Sequence, residues 1–442
     1  MSSVGNYPTP PTTGSGGTLD KAFKKVHAAL INGFNFMSEE WAMTSSLKNF
    51  SIDVSAREMI VPIDLNLSSG VASINDMGME AIPSTPVLDE AVISYINLNK
   101  RLIVSDLSRT LDEKHSKGQV TKTLAFSGKK ALEALAADYS DRFYGQASGA
   151  LALVAVDTAV PSAGAELTVS ITSPYGSTSL GAGTTRGYIR ALLRSGDRIA
   201  FIAADGASVV TYATVVTTSA TAFADSGGFA RIQVSVLATN GVAVATGIRI
   251  VKANATQIGA AALPTTPETD FNKSLTGLMS IVSAGSLHNL THENWTAETS
   301  SSAGALTGTR MRFITDTIEN RSGKKADRAV ISQGVYRNLV STTVGALRYA
   351  DIGNMETIGD VKAGSLKWHK TRRVPPGTLI VYPSDCLQKL DVSERPDAPG
   401  VSDLRRMMDR SAHVASLDFN TALVCTCRAG FFGAFSLTES DA

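Results

Sequence analysis

Residues 119–145 read QVTKTLAFSGKKALEALAADYSDRFYG. Val120, Leu124, Ala131, Leu132, Leu135, Tyr139 and Phe143 recur at spacings of three, four and seven, which stack on one face of an α-helix. Lys122, Lys129, Lys130, Glu133, Asp138, Asp141 and Arg142 fall mostly on the other face. At about 1.5 Å rise per residue such a helix runs roughly 35–40 Å. The spacing predicts one amphipathic helix, long for a globular domain and stiff enough to serve as a beam.

Upstream of it, Met1 to Thr18 is rich in Pro, Thr, Ser and Gly, a composition that buries too little apolar surface to order itself. The expectation is an arm that settles against a neighbour. From Leu19 to about Trp41, Phe23, Val26, Leu30, Phe34 and Met37 recur at helical spacing, with Thr18 as a cap and Asp20 in the first turn. Ser51 to Val104 reads as a long hairpin. Val61, Ile63, Leu65 and Leu67 alternate with Pro62, Asp64, Asn66 and Ser68 before a Gly/Ser/Asn-rich tip, and Ala91 to Val104 returns. Pro62 puts the outgoing strand at an edge, and a two-stranded arm needs a partner surface. That surface is either a neighbouring chain or, for an ordinary edge hairpin, the chain's own domain.

Downstream, from about Glu166 to Lys252, charges thin out and Val, Ala, Thr and Gly dominate without a helical period. Strands are expected at Glu166–Thr172, Arg198–Ala204, Ser208–Thr218, Ala230–Leu237 and Gly247–Lys252, with Asp205-Gly206 and Asn240-Gly241 as hairpin turns. These make a small β-barrel or β-sandwich set into the chain. Beyond Pro264 the pattern is mixed. A helix is expected over Ser302–Asn320, stopped by Gly323, then a strand at Ala329–Ile331 and a helix over Gln333–Ser341. Further strands fall near Ser365–His369, Leu379–Tyr382, His413–Phe419, Ala422–Arg428 and Phe431–Leu437. The fold class read from this order is α+β.

With 442 residues, 43% of them hydrophobic, the chain can bury large cores. Its 41 basic residues against 40 acidic ones, a net charge of +1, argue against a protein that grips nucleic acid by neutralising phosphates. No basic segment leading into an apolar core opens the sequence, and the longest apolar run, Ala150–Val156, falls far short of the roughly 20 residues that cross a bilayer. The expectation is a protein neither exported nor set in a membrane. Asn289-Leu-Thr and Asn294-Trp-Thr are then chance glycosylation triplets. Cys386, Cys425 and Cys427 fit a reducing compartment, with Cys425 and Cys427 packed as small hydrophobes on one face of a strand.

Signals for chemistry are weak. Ser127–Lys130 and Ser322–Lys325 both read Ser-Gly-Lys-Lys but lack the other positions of a phosphate-binding loop, which leaves solvated basic patches. His288 and His292 stand four apart, as two zinc ligands on a helix would, yet the Asn- and Thr-rich surroundings read as loop. No paired carboxylates and no nucleophile elbow are evident. The reading expects no enzyme, no cofactor and no metal.

The order of arm, short helix, long hairpin, long helix, mixed domain and final strands resembles the major capsid proteins of tailed bacteriophages, which share the Hong Kong 97 shell fold. The stretches that carry the resemblance are Leu102-Ile-Val-Ser-Asp-Leu-Ser, Leu275-Thr-Gly-Leu-Met, Lys325-Ala-Asp-Arg-Ala-Val-Ile-Ser and Pro375-Pro-Gly-Thr-Leu-Ile-Val-Tyr. The resemblance implies an N-terminal arm over 1–50, an extended loop over 51–104, and a peripheral domain with its spine helix over 105–160. It then implies an inserted β-rich domain over 161–258, a connection over 259–301, an axial domain over 302–377, and strands over 378–442 that return to the peripheral domain. The function implied is self-assembly, as hexamers and pentamers, into the icosahedral virion shell of a phage. Assembly would take place in the host cytoplasm, with scaffolding, portal and decoration proteins as further partners, around double-stranded DNA bound without sequence preference. Contact residues are expected at Phe23, Val26 and Leu30 on the arm. On the loop they are expected at Val61, Ile63 and Leu65, with Arg57, Asp64, Lys100 and Arg101 as charged partners. On this view Ile63→Asp blocks assembly and spares the subunit. An encapsulin-type nanocompartment shell and a phage tail or adhesin module are the alternative readings.

Overall fold

The computed structural model describes residues 39–46, 51–53, 58–66, 87–105, 119–176, 192–206, 208–217, 230–253, 272, 274–283, 285–347, 366–391, 400–401, 405–406 and 412–440. The expected arm and most of its helix, with Phe23, Val26 and Leu30, lie outside these residues, as does Arg57, while Glu39–Met43 at the expected helix's end is helical. The chain divides into two units. One comprises 1–42, 97–139 and 391–420, the other 43–96, 140–390 and 421–442.

The long helix forms as Gln119–Tyr144, 26 residues. In the first unit its Leu132, Leu135 and Tyr139 are buried. Tyr139 meets Trp41 and Phe419 edge to face, with centroids 5.5 and 5.9 Å away, while Trp41 and Phe419 lie 4.9 Å apart. Edge-to-face rings match the positive rim of one to the negative face of the next, so the three rings fix one another's orientation. Ile96–Ser105 pairs with the strand Ala412–Cys425, which also receives the two-residue strands Gly400–Val401 and Arg405–Arg406. Ala412–Cys425 is one strand of 14 residues where the sequence reading expected two. Asn420 and Thr421 look like a break, but Thr421 is fully buried and the strand runs through it.

Among the described residues, three sheets lie wholly within the second unit. Ser51–Asp53, Glu58–Asn66 and Val87–Ser94 form an antiparallel sheet in that order. The expected return arm is therefore two strands, since Ile96–Ser105 joins a different sheet. Pro62 pairs with Glu90 on one side, while Ser51–Asp53 reaches only Glu58–Ile60 on the other. Pro62 thus lies past the stretch in which this strand has two neighbours among the described residues.

A six-stranded antiparallel barrel closes in the order Ala230–Thr239, Glu166–Thr172, Ala150–Val154, Arg249–Lys252, Arg198–Ile202, Val209–Thr217. Alternate residues such as Val169, Ile171, Ile199, Phe201, Ile232, Val234 and Ile250 fill its interior. Asp205-Gly206 makes the expected hairpin, with Gly206 at φ 74°. Asn240-Gly241 does not. Ala230–Thr239 already has a neighbour on both edges, so the chain after Asn240 crosses to bridge Thr158 at Val244 before Arg249–Lys252 pairs elsewhere. The barrel also starts earlier than 161, because Ala150–Val154 is one of its staves. Its first and last strands are hydrogen-bonded neighbours, with Arg249 opposite Leu153 and Val251 opposite Ala150. Entry and exit are therefore side by side, the geometry that lets a domain be set into a host chain.

A mixed five-stranded sheet runs in the order Glu298–Ser300, Phe432–Ala434, Leu379–Tyr382, Arg328–Ser332, Lys367–Thr371. Met311, Ile314 and Ile318 of the helix Gly308–Ser322 and Val335 and Leu339 of the helix Gln333–Leu347 share one core with it. Thr307 caps the first helix by accepting the Arg310 N–H at 3.3 Å, and Gly323 ends it at φ 66°. The expected start at Ser302 is displaced because Gly304, at φ 130°, bridges to Leu437 instead.

Candidate self-association surfaces

Three internal anchors hold the second unit together, and one of them uses a charged residue that the sequence placed on the polar side of the long helix. Asp141 is buried at 4% exposure, although its spacing sets it on the charged side of the long helix. Its carboxylate accepts a hydrogen bond from Arg373 Nε at 2.9 Å and lies 3.6 Å from Lys252 Nζ. One carboxylate thus ties the helix end to the barrel's last strand and to the turn after Lys367–Thr371. Tyr175 adds a second tie, donating to the Arg373 carbonyl at 2.9 Å.

Gly277 packs directly on the helix terminus. A Cβ there would lie 2.4 Å from the Arg142 carbonyl oxygen and 2.6 Å from those of Phe143 and Gly145. Only glycine permits this approach, which explains the Gly in Leu275-Thr-Gly-Leu-Met.

Arg428 is the third anchor, 2% exposed. Its guanidinium donates to the carbonyls of Ile281 at 2.9 Å, Gly285 at 2.6 Å, Trp295 at 3.3 Å and Ser283. A planar fork with five donors can satisfy several carbonyls from one buried point, which a lysine cannot. Burial holds the Arg428 pKa below its ordinary value. Neither Asp141 nor Arg428 carries a local signature, because their partners lie far away in sequence.

His288 and His292 sit in a loop. His288 is buried at φ 55°, and its Nε2 accepts the Cys425 N–H at 3.3 Å. Burial first, and the nearby Arg428 charge second, lower its pKa to about 4. His292 Nδ1 accepts the Asn294 N–H at 3.2 Å. Among the described residues no group of three or more His, Cys, Asp or Glu side chains is placed to hold a metal ion.

The predicted loop contacts divide. Val61, Ile63 and Leu65 are 3%, 3% and 8% exposed. With Met59, Ala91 and Ile93 they form the buried face of the hairpin sheet, and two hydrogen bonds join that sheet to the chain's own 287–295 segment. The Val92 N–H donates to the His288 carbonyl at 3.2 Å, and Asn294 Nδ2 donates to the Leu65 carbonyl at 3.4 Å. The Val61, Ile63 and Leu65 side chains are buried within the described subunit. Asp64 pairs with Leu88 in the ladder, and Lys100 is exposed on Ile96–Ser105, which also contains Arg101.

Exposed apolar side chains lie elsewhere. Val156, Val160 and Val242, at 47%, 53% and 53%, lie in the two stretches joined by the Thr158–Val244 bridge at one end of the barrel. Phe313 is 64% exposed on the outer face of Gly308–Ser322, beside the exposed Arg312, Asp316 and Glu319. The sequence reading passed over Phe313 because its helical stripe assigned Met311, Ile314 and Ile318 inward and left no reason for a phenylalanine opposite.

No protein-family model matches the chain, and no curated protein matches it. Several solved structures are similar. The Cyanophage A-1(L) capsid asymmetric unit is 9% identical, with TM-score 0.45 over 90% of this chain and 91% of that one. A structure from Mycobacterium phage Adephagia is 7% identical, with TM-score 0.41 over 92% and 91%. A virus-like particle from Pyrococcus furiosus is 8% identical, with TM-score 0.39 over 93% and 98%.

Proposed function

We propose that this chain is the major capsid protein of a tailed bacteriophage, a Hong Kong 97-like subunit that assembles with its own copies into the icosahedral shell around the genome. The observation that carries the reading is the order of parts. A hairpin sheet precedes a 26-residue helix, and a mixed five-stranded sheet with two helices follows. The buried polar groups of the second unit support it further, since Asp141 and Arg428 are engaged in joining segments of the chain.

In this assignment 51–104 is the extended loop, Gln119–Tyr144 the spine, 302–377 the axial domain, and the barrel an inserted module on the shell. Hexamers and pentamers are the units of assembly. Scaffolding, portal and decoration proteins are the expected partners, and a net charge of +1 suits a wall that encloses DNA without clamping it. Many modest contacts summed over a closed symmetric lattice then give a stable particle. The Gly308–Ser322 face supplies one such contact. Phe313 is its apolar centre, and Arg312 beside Asp316 and Glu319 offers charges of both signs to a second copy of the same chain.

The test is expression of the chain, alone and with any scaffold encoded beside it, followed by negative-stain electron microscopy. Closed icosahedral particles, or rings of five and six, support the proposal, and particle diameter separates a phage head from a small nanocompartment. Stable monomers or trimers under both conditions overturn it in favour of a tail or receptor-binding module.

A further inference from the structure

Cys386, Cys425 and Cys427 converge where the short 3₁₀ turn Ser384–Cys386 meets the end of the strand Ala412–Cys425. Residue 426 is pinned there by two hydrogen bonds. Its N–H donates to the Cys386 carbonyl and its hydroxyl to the Asp385 carbonyl, each at 3.0 Å. Cys427, one residue on, is thereby held beside Cys386, and their thiols share a hydrogen bond. Gly430 leaves room for the pair, since a Cβ there would lie 3.0 Å from Cys386 Sγ. The two sulfurs differ in access, as Cys386 is fully buried while Cys427 is partly exposed.

We propose that Cys386 and Cys427 are a redox modification site, a dithiol that closes to an intrachain disulfide when it meets a small-molecule disulfide. Cys427 is the attacking sulfur, Cys386 the resolving one and Cys425 a bystander. The inference is independent of the shell reading.

Chemistry favours these roles. The hydrogen bond from Cys386 is the largest influence lowering the Cys427 pKa. The Gly430 and Ala429 N–H groups and the charge of Lys324 act in the same direction, against burial. Lys324 Nζ lies 3.9 Å from Oδ2 of Asp385, which is next to Cys386 in sequence. Cys386 moves the opposite way, first through the same hydrogen bond and then through burial. A thiolate, not a thiol, is the nucleophile of disulfide exchange. Cys425 is buried in the strand, which holds its thiol protonated.

With oxidised glutathione as oxidant, the Cys427 thiolate attacks one glutathione sulfur. The glutathione S–S bond breaks, a Cys427–glutathione bond forms, and one glutathione leaves as thiolate and takes up a proton. Cys386 then loses its proton and attacks the Cys427 sulfur, expelling the second glutathione. One protein S–S bond replaces two S–H bonds, and the small disulfide is reduced to two thiols. The staple joins the start of Leu387–Asp391 to the turn Arg428–Gly430.

The test uses the full chain, purified reduced and then exposed to oxidised glutathione. Free thiols are alkylated under denaturing conditions, followed by intact mass and non-reducing peptide mapping. The expected result is loss of two of the three alkylatable thiols, a mass lower by two hydrogens before alkylation, a Cys386–Cys427 peptide, and full reversal by dithiothreitol. Cys425→Ser behaves as the unchanged chain. Cys386→Ser stops with one glutathione on Cys427, and Cys427→Ser keeps both remaining thiols. Three alkylatable thiols after exposure, a bridge that includes Cys425, or a glutathione adduct that never resolves in the unchanged chain would each overturn the proposal. The mapping on the unchanged chain decides the matter even if a serine variant fails to fold.

Discussion

His288 sits where two demands meet. Its ring must stay neutral to accept the Cys425 N–H, and Arg428 adds positive charge nearby. Its folded pKa of about 4 lies below the ordinary 6.5, so the folded state disfavours protonation. The stability this group contributes is fully present above pH 6.5, declines as pH falls through the interval, and is gone below about 4. At roughly 1.4 kcal/mol per pKa unit, the loss amounts to about 3 kcal/mol. His288→Asn keeps a side chain suited to φ 55° and removes the titration. Its unfolding free energy, measured by urea titration from pH 7 to 4, is expected to fall less steeply than that of the unchanged chain. Asp141 is the other residue with large leverage. Asp141→Asn leaves Arg373 and Lys252 facing each other without their carboxylate, at an expected cost of about 3 kcal/mol in the same assay at pH 7.

Among the elements, the hairpin sheet changed meaning most between sequence and structure. Alternation gave the right face, because Met59, Val61, Ile63 and Leu65 are the buried ones. Hydrogen bonds from the Val92 N–H and from Asn294 Nδ2 join the sheet to the subunit's own 287–295 segment. Ile63→Asp therefore sets a carboxylate in an apolar layer and removes a buried side chain. The expected outcome is a loss of about 4 kcal/mol or more in subunit stability, read by chemical denaturation of unassembled protein. Unfolding at the same denaturant concentration as the unchanged chain would show that the hairpin is not docked in this way. The long strand Ala412–Cys425 teaches a related point, since a buried Thr421 continues the strand where a polar pair looks like a turn.

For the whole molecule, the barrel is the part most separable from the rest. Its entry and exit strands are adjacent, and its core is made of its own residues. A polypeptide covering 150–253 is expected to give a β-rich circular dichroism spectrum and a single cooperative thermal transition. A disordered product would mean that the Asp141 and Tyr175 ties are needed for the barrel to close. Phe313 belongs to this scale too, because its role exists only between molecules. Phe313→Ser is expected to leave subunit stability within about 0.5 kcal/mol, as for other exposed positions, while sharply reducing assembled particles in sedimentation. Undiminished particles would remove the Gly308–Ser322 face from the list of contacts.

The sequence alone determined what depends on neighbours along the chain. The long helix follows from apolar spacing, five barrel strands from Val-, Ala- and Thr-rich stretches without a helical period, the Asp205-Gly206 turn from glycine's access to positive φ, and the stop at Gly323 from the same freedom. Tertiary structure decided what depends on pairing between distant segments. Ala150–Val154 looks like any apolar run until barrel closure gives it two neighbours, and Asn240-Gly241 looks like a hairpin turn until both edges of Ala230–Thr239 prove to be occupied. Asp141 read as a surface charge, and the role of Arg428 went unread, because their partners lie far off in sequence. The same distance hid the pairing of Cys386 with Cys427. Periodicity reports which face is apolar, and only the fold reports what covers it.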